Sequence, residues 1–178
     1  SSPMIVTAFF FHHLNVAEAK GWSGEWVTGA YIFYALAGII TVLLAGPLID
    51  RFRAQRVIQI MLIPLIGACF MLATADRAFW VIPYMIMMGL HTGLIHTSAS
   101  ALWAELYGPQ HLGAIKSLYL ALMVFASAVG PVFMGMLMDA GLGIHQVCSL
   151  FGGFIALGAV LIVLALRMKP APPQIFTA

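Results

Sequence analysis

Two stretches carry the residues best suited to chemistry: FFFHHLNVAE (9–18) and GLHTGLIHTSAS (89–100). Each sets histidines in an otherwise apolar run. A neutral imidazole costs less to bury than a full charge and can still carry a proton. His12 and His13 stand about a turn and a half before Glu18 on a helix. Thr92 and His96 are four apart and share one helix face, which makes them the better pair for a solute or proton contact. His91 and His96 are five apart, about 140° around a helix, which argues against their acting together. Tyr31, Tyr34 and Tyr119 can offer hydroxyls to an organic anion. The expected solute or proton pathway is therefore His12, His13, Tyr34, His91, Thr92, His96 and Tyr119. Each also has a plainer reading: histidines hydrogen-bond between helices, and tyrosines anchor at membrane interfaces.

Other chemistries find less support. Adjacent His12 and His13 point to different sides, so no metal site is expected. Ser98 lies two residues after His96, on the opposite side of a helix, and there is no G-x-S-x-G elbow. No G-x-x-x-x-G-K-[ST] loop is present, so nucleotide-driven pumping has no support. No cofactor is expected.

These residues must be positioned by an unusually apolar chain. Hydrophobic residues make up 62% of it and charged residues 8%, with a mean hydropathy of +1.02. A soluble domain is typically about 45–50% apolar and about 25% charged, so the composition implies membrane integration. The net charge of +2 and the lack of a basic run with interleaved aromatics argue against a nucleic-acid partner. Cys69 and Cys148 lie in apolar stretches and read as small core residues. The opening SSPMIV has no basic n-region, which suggests a piece of a longer protein.

A membrane-crossing helix needs about 20 mostly apolar residues. Six spans are expected, at about 1–19, 25–49, 57–75, 79–106, 112–138 and 144–166, with a tail at 170–178. Pro64, Pro83 and Pro131 fall inside spans and are expected to kink them. With six spans, Arg51, Arg53, Arg56, Lys116, Arg167 and Lys169 collect on one side, and Lys20 and Arg77 on the other. That bias places loop 50–56 and the C-terminus in the cytoplasm. Trp22, Trp26, Trp80 and Trp103 sit near span ends, as an aromatic belt would. Gly89 and Gly93, continued by Thr97 and Ala101, predict a tight helix–helix seam.

The chain also repeats. GPLID (46–50) is echoed by GMLMD (135–139), an offset of 89 residues, and Gly130–Pro131 precedes the second copy. Two three-helix units joined head to tail enter the membrane from opposite sides, which is an inverted repeat.

The stretch GPLIDRFRAQR (46–56) resembles the loop signature of the major facilitator superfamily. In that family the signature joins the second and third helices of each six-helix half, and its position here agrees. The family pattern has a glycine three residues after the Asp and a denser basic run, where this chain has Arg53, Ala54 and Gln55. That departure is more typical of the second half. ALWAELYG (101–108) and FFFHHLNVAEAKGW (9–22) are similar to segments of bacterial members near the monocarboxylate or oxalate/formate branch.

The resemblance implies an all-α integral membrane protein: six transmembrane helices as two inverted three-helix repeats, half of a twelve-helix transporter. Solute would bind between the two bundles, which rock to expose it to each side in turn. Gly46 would let helices approach closely, Asp50 would accept hydrogen bonds from a neighbouring helix N-terminus, and Arg51 would pair across a cytoplasmic gate completed by Arg53, Arg56 and Glu105. Glu105 has Lys116 or a loop arginine as its candidate partner. The implied function is secondary transport of a small organic solute, with carboxylates as candidates, coupled to a proton or counter-solute. The implied partners are the lipid bilayer, in a bacterial inner membrane, and a missing N-terminal six-helix half. The alternative is a self-contained six-helix membrane protein, acting as a homodimeric channel or an intramembrane enzyme.

Overall fold

The computed structural model describes residues 2–167. Its eight α-helices are α1 (Ser2–Ala19), α2 (Gly24–Gly29), α3 (Tyr31–Phe52), α4 (Ala54–Ile60), α5 (Ile63–Thr74), α6 (Val81–Tyr107), α7 (Leu112–Asp139) and α8 (Ile144–Arg167), with short 3₁₀ turns at Ala78–Trp80 and Pro109–His111. The tail expected at 170–178, and Lys169, lie outside the described residues.

Among the described residues, five stretches are long and apolar enough to cross a membrane: Gly24–Phe52, Ala54–Thr74, Ala78–Tyr107, Leu112–Asp139 and Ile144–Arg167. They correspond to the second through sixth expected spans. The first, α1, forms a helix but is not among them. His12, His13, Asn15 and Glu18 dilute its apolar run below what its 18 residues would need.

Local sequence explains the interruptions. Ser23 caps α2 by accepting from the Trp26 N–H at 3.4 Å. Pro64 sits in the first turn of α5, where its missing N–H is tolerated, and Met61–Leu62 separate α5 from α4. Pro83 likewise falls in the first turn of α6 and interrupts nothing. Loop 50–56 shrinks to one residue. Asp50 and Arg51 are helical, α4 begins at Ala54, and Arg53 alone makes the corner at φ 67°, ψ 146°.

Packing follows small residues. Ala37, Thr41 and Ala45, four apart, form the buried stripe of α3. They meet Gly89 and Gly93 of α6. A Cβ built on Gly93 would stand 2.6 Å from Thr41 Cβ and 2.8 Å from the Gly38 carbonyl oxygen. One on Gly89 would stand 2.9 Å from Ala37 Cβ. The glycine stripe is therefore a seam, as its spacing predicts. A second seam joins α1 to α7, where Gly130 lies against the Met4 backbone. The third major pairing is α5 with α8, and α6 also packs on α4 and α5. At the centre, Phe9 meets Tyr84 and Phe151 edge-on, at 6.3 and 5.8 Å between ring centres. Outward faces of α3 and α7 remain apolar and exposed, with Leu43 and Leu44, and Leu122 and Phe125, among them.

Gly93→Ala forces a methyl into the α3–α6 seam and should destabilise the protein by about 1–3 kcal/mol. Gly29→Ala, where a Cβ meets nothing within 4 Å, serves as the control. Unfolding midpoints in mild detergent compare the two.

Candidate transport site

Three helices converge on His13, which is 4% exposed. Its Nδ1 lies 2.5 Å from the Tyr31 hydroxyl at the start of α3. Its Nε2 lies 2.6 Å from the Tyr84 hydroxyl near the start of α6. The neighbouring His12 points elsewhere, as adjacency on a helix requires. Its Nε2–H donates to the Pro131 carbonyl of α7 at 3.0 Å. Both histidines of α1 are thus tied to other helices.

His91 is buried on α6. Its Nδ1–H donates to the Met61 carbonyl at 2.7 Å, at the break between α4 and α5. A carbonyl can only accept, so the proton is on Nδ1 and Nε2 is an acceptor. That Nε2 is buried without a partner among the described residues. His91 nevertheless shares the wall of one cavity with His96, contrary to the 140° argument. The cavity measures about 150 Å³ and is also lined by Thr7, Thr92, Met123 and Ser127. Angular separation on one helix does not keep two side chains apart when the cavity wraps around it. His96 and Thr92 also line a second, open cleft of about 430 Å³ with Tyr34 and Gly38, between α3 and α6. Thr92 Oγ1 donates to the Met88 carbonyl at 3.0 Å.

Tyr119 lies apart from the histidines. It lines a cavity of about 570 Å³ near the other end of the bundle with Gln55, Met61, Trp103 and Leu166, its ring centre 6.0 Å from that of Trp103. Glu105 stands at the end of α6, as expected, but has a different partner. Its Oε1 accepts from the Ala54 N–H at 2.9 Å, capping α4, and makes no ion pair with Lys116. The helix-capping carboxylate expected at Asp50 is therefore Glu105. Asp50, Arg51, Arg53 and Arg56 are exposed, and a Cβ on Gly46 would meet nothing within 4 Å. The close approach expected at Gly46 occurs at Gly89, Gly93 and Gly130.

One cluster gives Lys20, Trp22 and Trp26 partners beyond their expected places at a span end. Past the end of α1, Lys20 Nζ donates to the Ala75 carbonyl at 2.7 Å and lies 4.0 Å from the Asp76 carboxylate. Burial pulls the Lys20 ammonium below the usual lysine range, against the opposing pull of Asp76. The indoles of Trp22 and Trp26 donate to the carbonyls of Asp76 and Ala78 at 2.7 and 2.8 Å. His145 Nδ1–H donates to the Ala73 carbonyl at 2.6 Å. These bonds staple the α1–α2 turn and the start of α8 to the α5–α6 turn. Paired aromatics in a short polar break are the signal, but their partners lie more than 50 residues away. Tyr84 was missed for the same reason.

The family model described as Major Facilitator Superfamily matches residues 2–178. The chain belongs to the Major Facilitator Superfamily. It is a membrane transporter, and members of the superfamily are transporters rather than enzymes. No curated protein and no solved structure matches the chain. Membership gives the Arg53 corner its meaning. Arg53 stands three residues after Asp50, where the loop signature it resembles carries a glycine, and its backbone has the φ and ψ that favour glycine.

Arg53→Gly relieves that backbone strain. It should stabilise the protein by about 1 kcal/mol, the relief of about 1–3 kcal/mol less the entropy glycine adds to the unfolded chain. A raised unfolding midpoint in detergent checks this.

Proposed function

We propose that the chain is one six-helix half of a secondary transporter that carries a small organic solute by alternating access. The resemblance in the sequence makes a carboxylate the leading solute and a proton or counter-solute the coupled species. The observation that carries this reading is the pattern of helix pairing. Take α1, α2–α3 and α4–α5 as one three-helix unit, and α6, α7 and α8 as the other. Exchanging the units turns the α3–α6 pair into the α7–α1 pair and leaves the α5–α8 pair unchanged. These are the three heaviest pairings in the bundle. Both exchanged seams close on glycine, Gly89 and Gly93 in one and Gly130 in the other. An inverted repeat accounts for this correspondence, and transporters use such repeats to build a site that opens to either side.

The same exchange relates α3 to α7, the helices with broad exposed apolar faces. A second six-helix bundle laid against those faces would cover the clefts lined by Tyr34, Thr92 and His96. In this reading α1 also crosses, which brings the spans to six, its polar histidines satisfied by α3, α6 and α7. The Arg53 corner then lies on the cytoplasmic side of a bacterial inner membrane. Gly46, Asp50, Arg51 and Arg56, which form no ion pair among the described residues, face the other half at the gate.

Single cysteines at Ser1, Glu25, Arg56, Arg77, Gln110 and Ala140, probed with an impermeant maleimide in sealed vesicles, test the topology. Positions 25, 77 and 140 should label from one side, and 1, 56 and 110 from the other. Labelling of position 1 from the same side as 25 would remove α1 as a span and overturn the six-helix reading.

A further inference from the structure

We propose that the pocket between α1 and the start of α3 is a binding site for a small molecule with an oxygen acceptor and an apolar body, and that the Tyr31 hydroxyl is its specificity-determining donor. The proposal deepens the transporter reading and rests on it for physiological meaning, while its test does not depend on transport. The pocket measures about 350 Å³ and is lined by Phe10, Phe11, His13, Leu14, Val27, Thr28 and Tyr31.

The direction of the hydrogen bonds follows from burial. Tyr84 is 1% exposed, and among the described residues its hydroxyl has one partner, His13 Nε2. A buried O–H without an acceptor is costly, so Tyr84 donates and Nε2 accepts. The imidazole proton is then on Nδ1, and Nδ1–H donates to the Tyr31 oxygen. The Tyr31 hydroxyl proton is left over. Tyr31 is half-buried and borders the pocket, whereas Tyr84 lies in the core.

The other side-chain polar hydrogens of the lining are committed. Thr28 Oγ1 donates to the Gly24 carbonyl at 2.8 Å, and both nitrogens of His13 are used. The pocket therefore offers one free polar hydrogen, set among Phe10, Phe11, Leu14 and Val27. A chain of hydrogen bonds polarises each member, so Tyr84 and His13 strengthen the Tyr31 donor. Such a surface selects an acceptor over a donor. The acceptor is a carbonyl or a carboxylate oxygen. No cation lines the pocket, so a carboxylate would keep water on its second oxygen.

The test uses the full-length protein in lipid bilayers with ¹⁵N-labelled histidine, the His13 signals being assigned by their loss in a His13→Gln sample. Magnetic resonance should report His13 as neutral, with the proton on Nδ1. An Nε2-protonated or doubly protonated ring would overturn the assigned bond direction. Three probes are then titrated: benzoate, acetophenone and benzylamine. Saturable shifts of the His13 nitrogens are expected from benzoate or acetophenone, and which of the two is tighter identifies carboxylate or neutral carbonyl. Benzylamine, a donor without an acceptor oxygen, should give none. Tyr31→Phe should weaken the acceptor probe about tenfold, the loss of one hydrogen bond. Tyr84 is a positioning residue: Tyr84→Phe should leave His13 as a mixture of tautomers and weaken the probe by a smaller factor. The site is overturned if neither acceptor probe shifts His13, if benzylamine does so equally, or if Tyr31→Phe binds as well as the native chain. Retained binding without uptake of the same probe into vesicles would count against the transporter reading and leave the site standing.

Discussion

A polar group inside a bilayer has no water to bond, so the protein must supply its partner. That constraint bears hardest on α1. Its histidines keep its apolar run below what a crossing helix would need, and each is met by another helix: His12 by the Pro131 carbonyl, His13 by two tyrosine hydroxyls. These bonds fix the rotation of α1 and bring α3, α6 and α7 around it. The bundle's polar cavities then form next to the groups that needed satisfying.

The close seams depend on the same arrangement. Water exclusion gives little drive for helices to associate within lipid, so contact rests on packing and hydrogen bonds. Glycine at positions 89, 93 and 130 lets backbones approach until dispersion forces are effective. Proline contributes in a different way. Pro64 lies in the first turn of α5, just after the Met61–Leu62 break, and His91 of α6 bonds the Met61 carbonyl there. One imidazole thus joins two segments of a discontinuous span to its neighbour, and its far nitrogen remains as an acceptor without a partner among the described residues.

Much of this was legible in the sequence. Long apolar runs gave five of the six expected spans, since burial in lipid leaves a composition signal that needs no partner. The glycine spacing gave a tight seam on α6, though not its partner α3, and GPLID with GMLMD suggested two three-helix units. What was illegible depends on distant partners. His13 and Tyr84 are 71 residues apart, and His12 and Pro131 are 119 apart. No periodicity links such pairs. The single-residue corner at Arg53 was hidden because charge normally marks a loop, and here the helices run to the charges on either side. Glu105 was placed correctly at a helix end, but its bond to the Ala54 N–H was not foreseen, because backbone N–H groups leave no mark in a sequence. His91 and His96 were separated by helix angle, when a cavity shared with α1 and α7 brings both to one wall.

The central claim is that the two ends of this bundle open in alternation. Thr28 borders the pocket at one end and Gln55 the cavity at the other, and the native Cys69 and Cys148 are buried and contribute little background. The decisive measurement is maleimide reactivity of Thr28→Cys and Gln55→Cys in the intact protein in vesicles, with and without benzoate. The account predicts opposite changes, one site gaining reactivity as the other loses it. Changes of the same sign at both sites, or none at either, would contradict it.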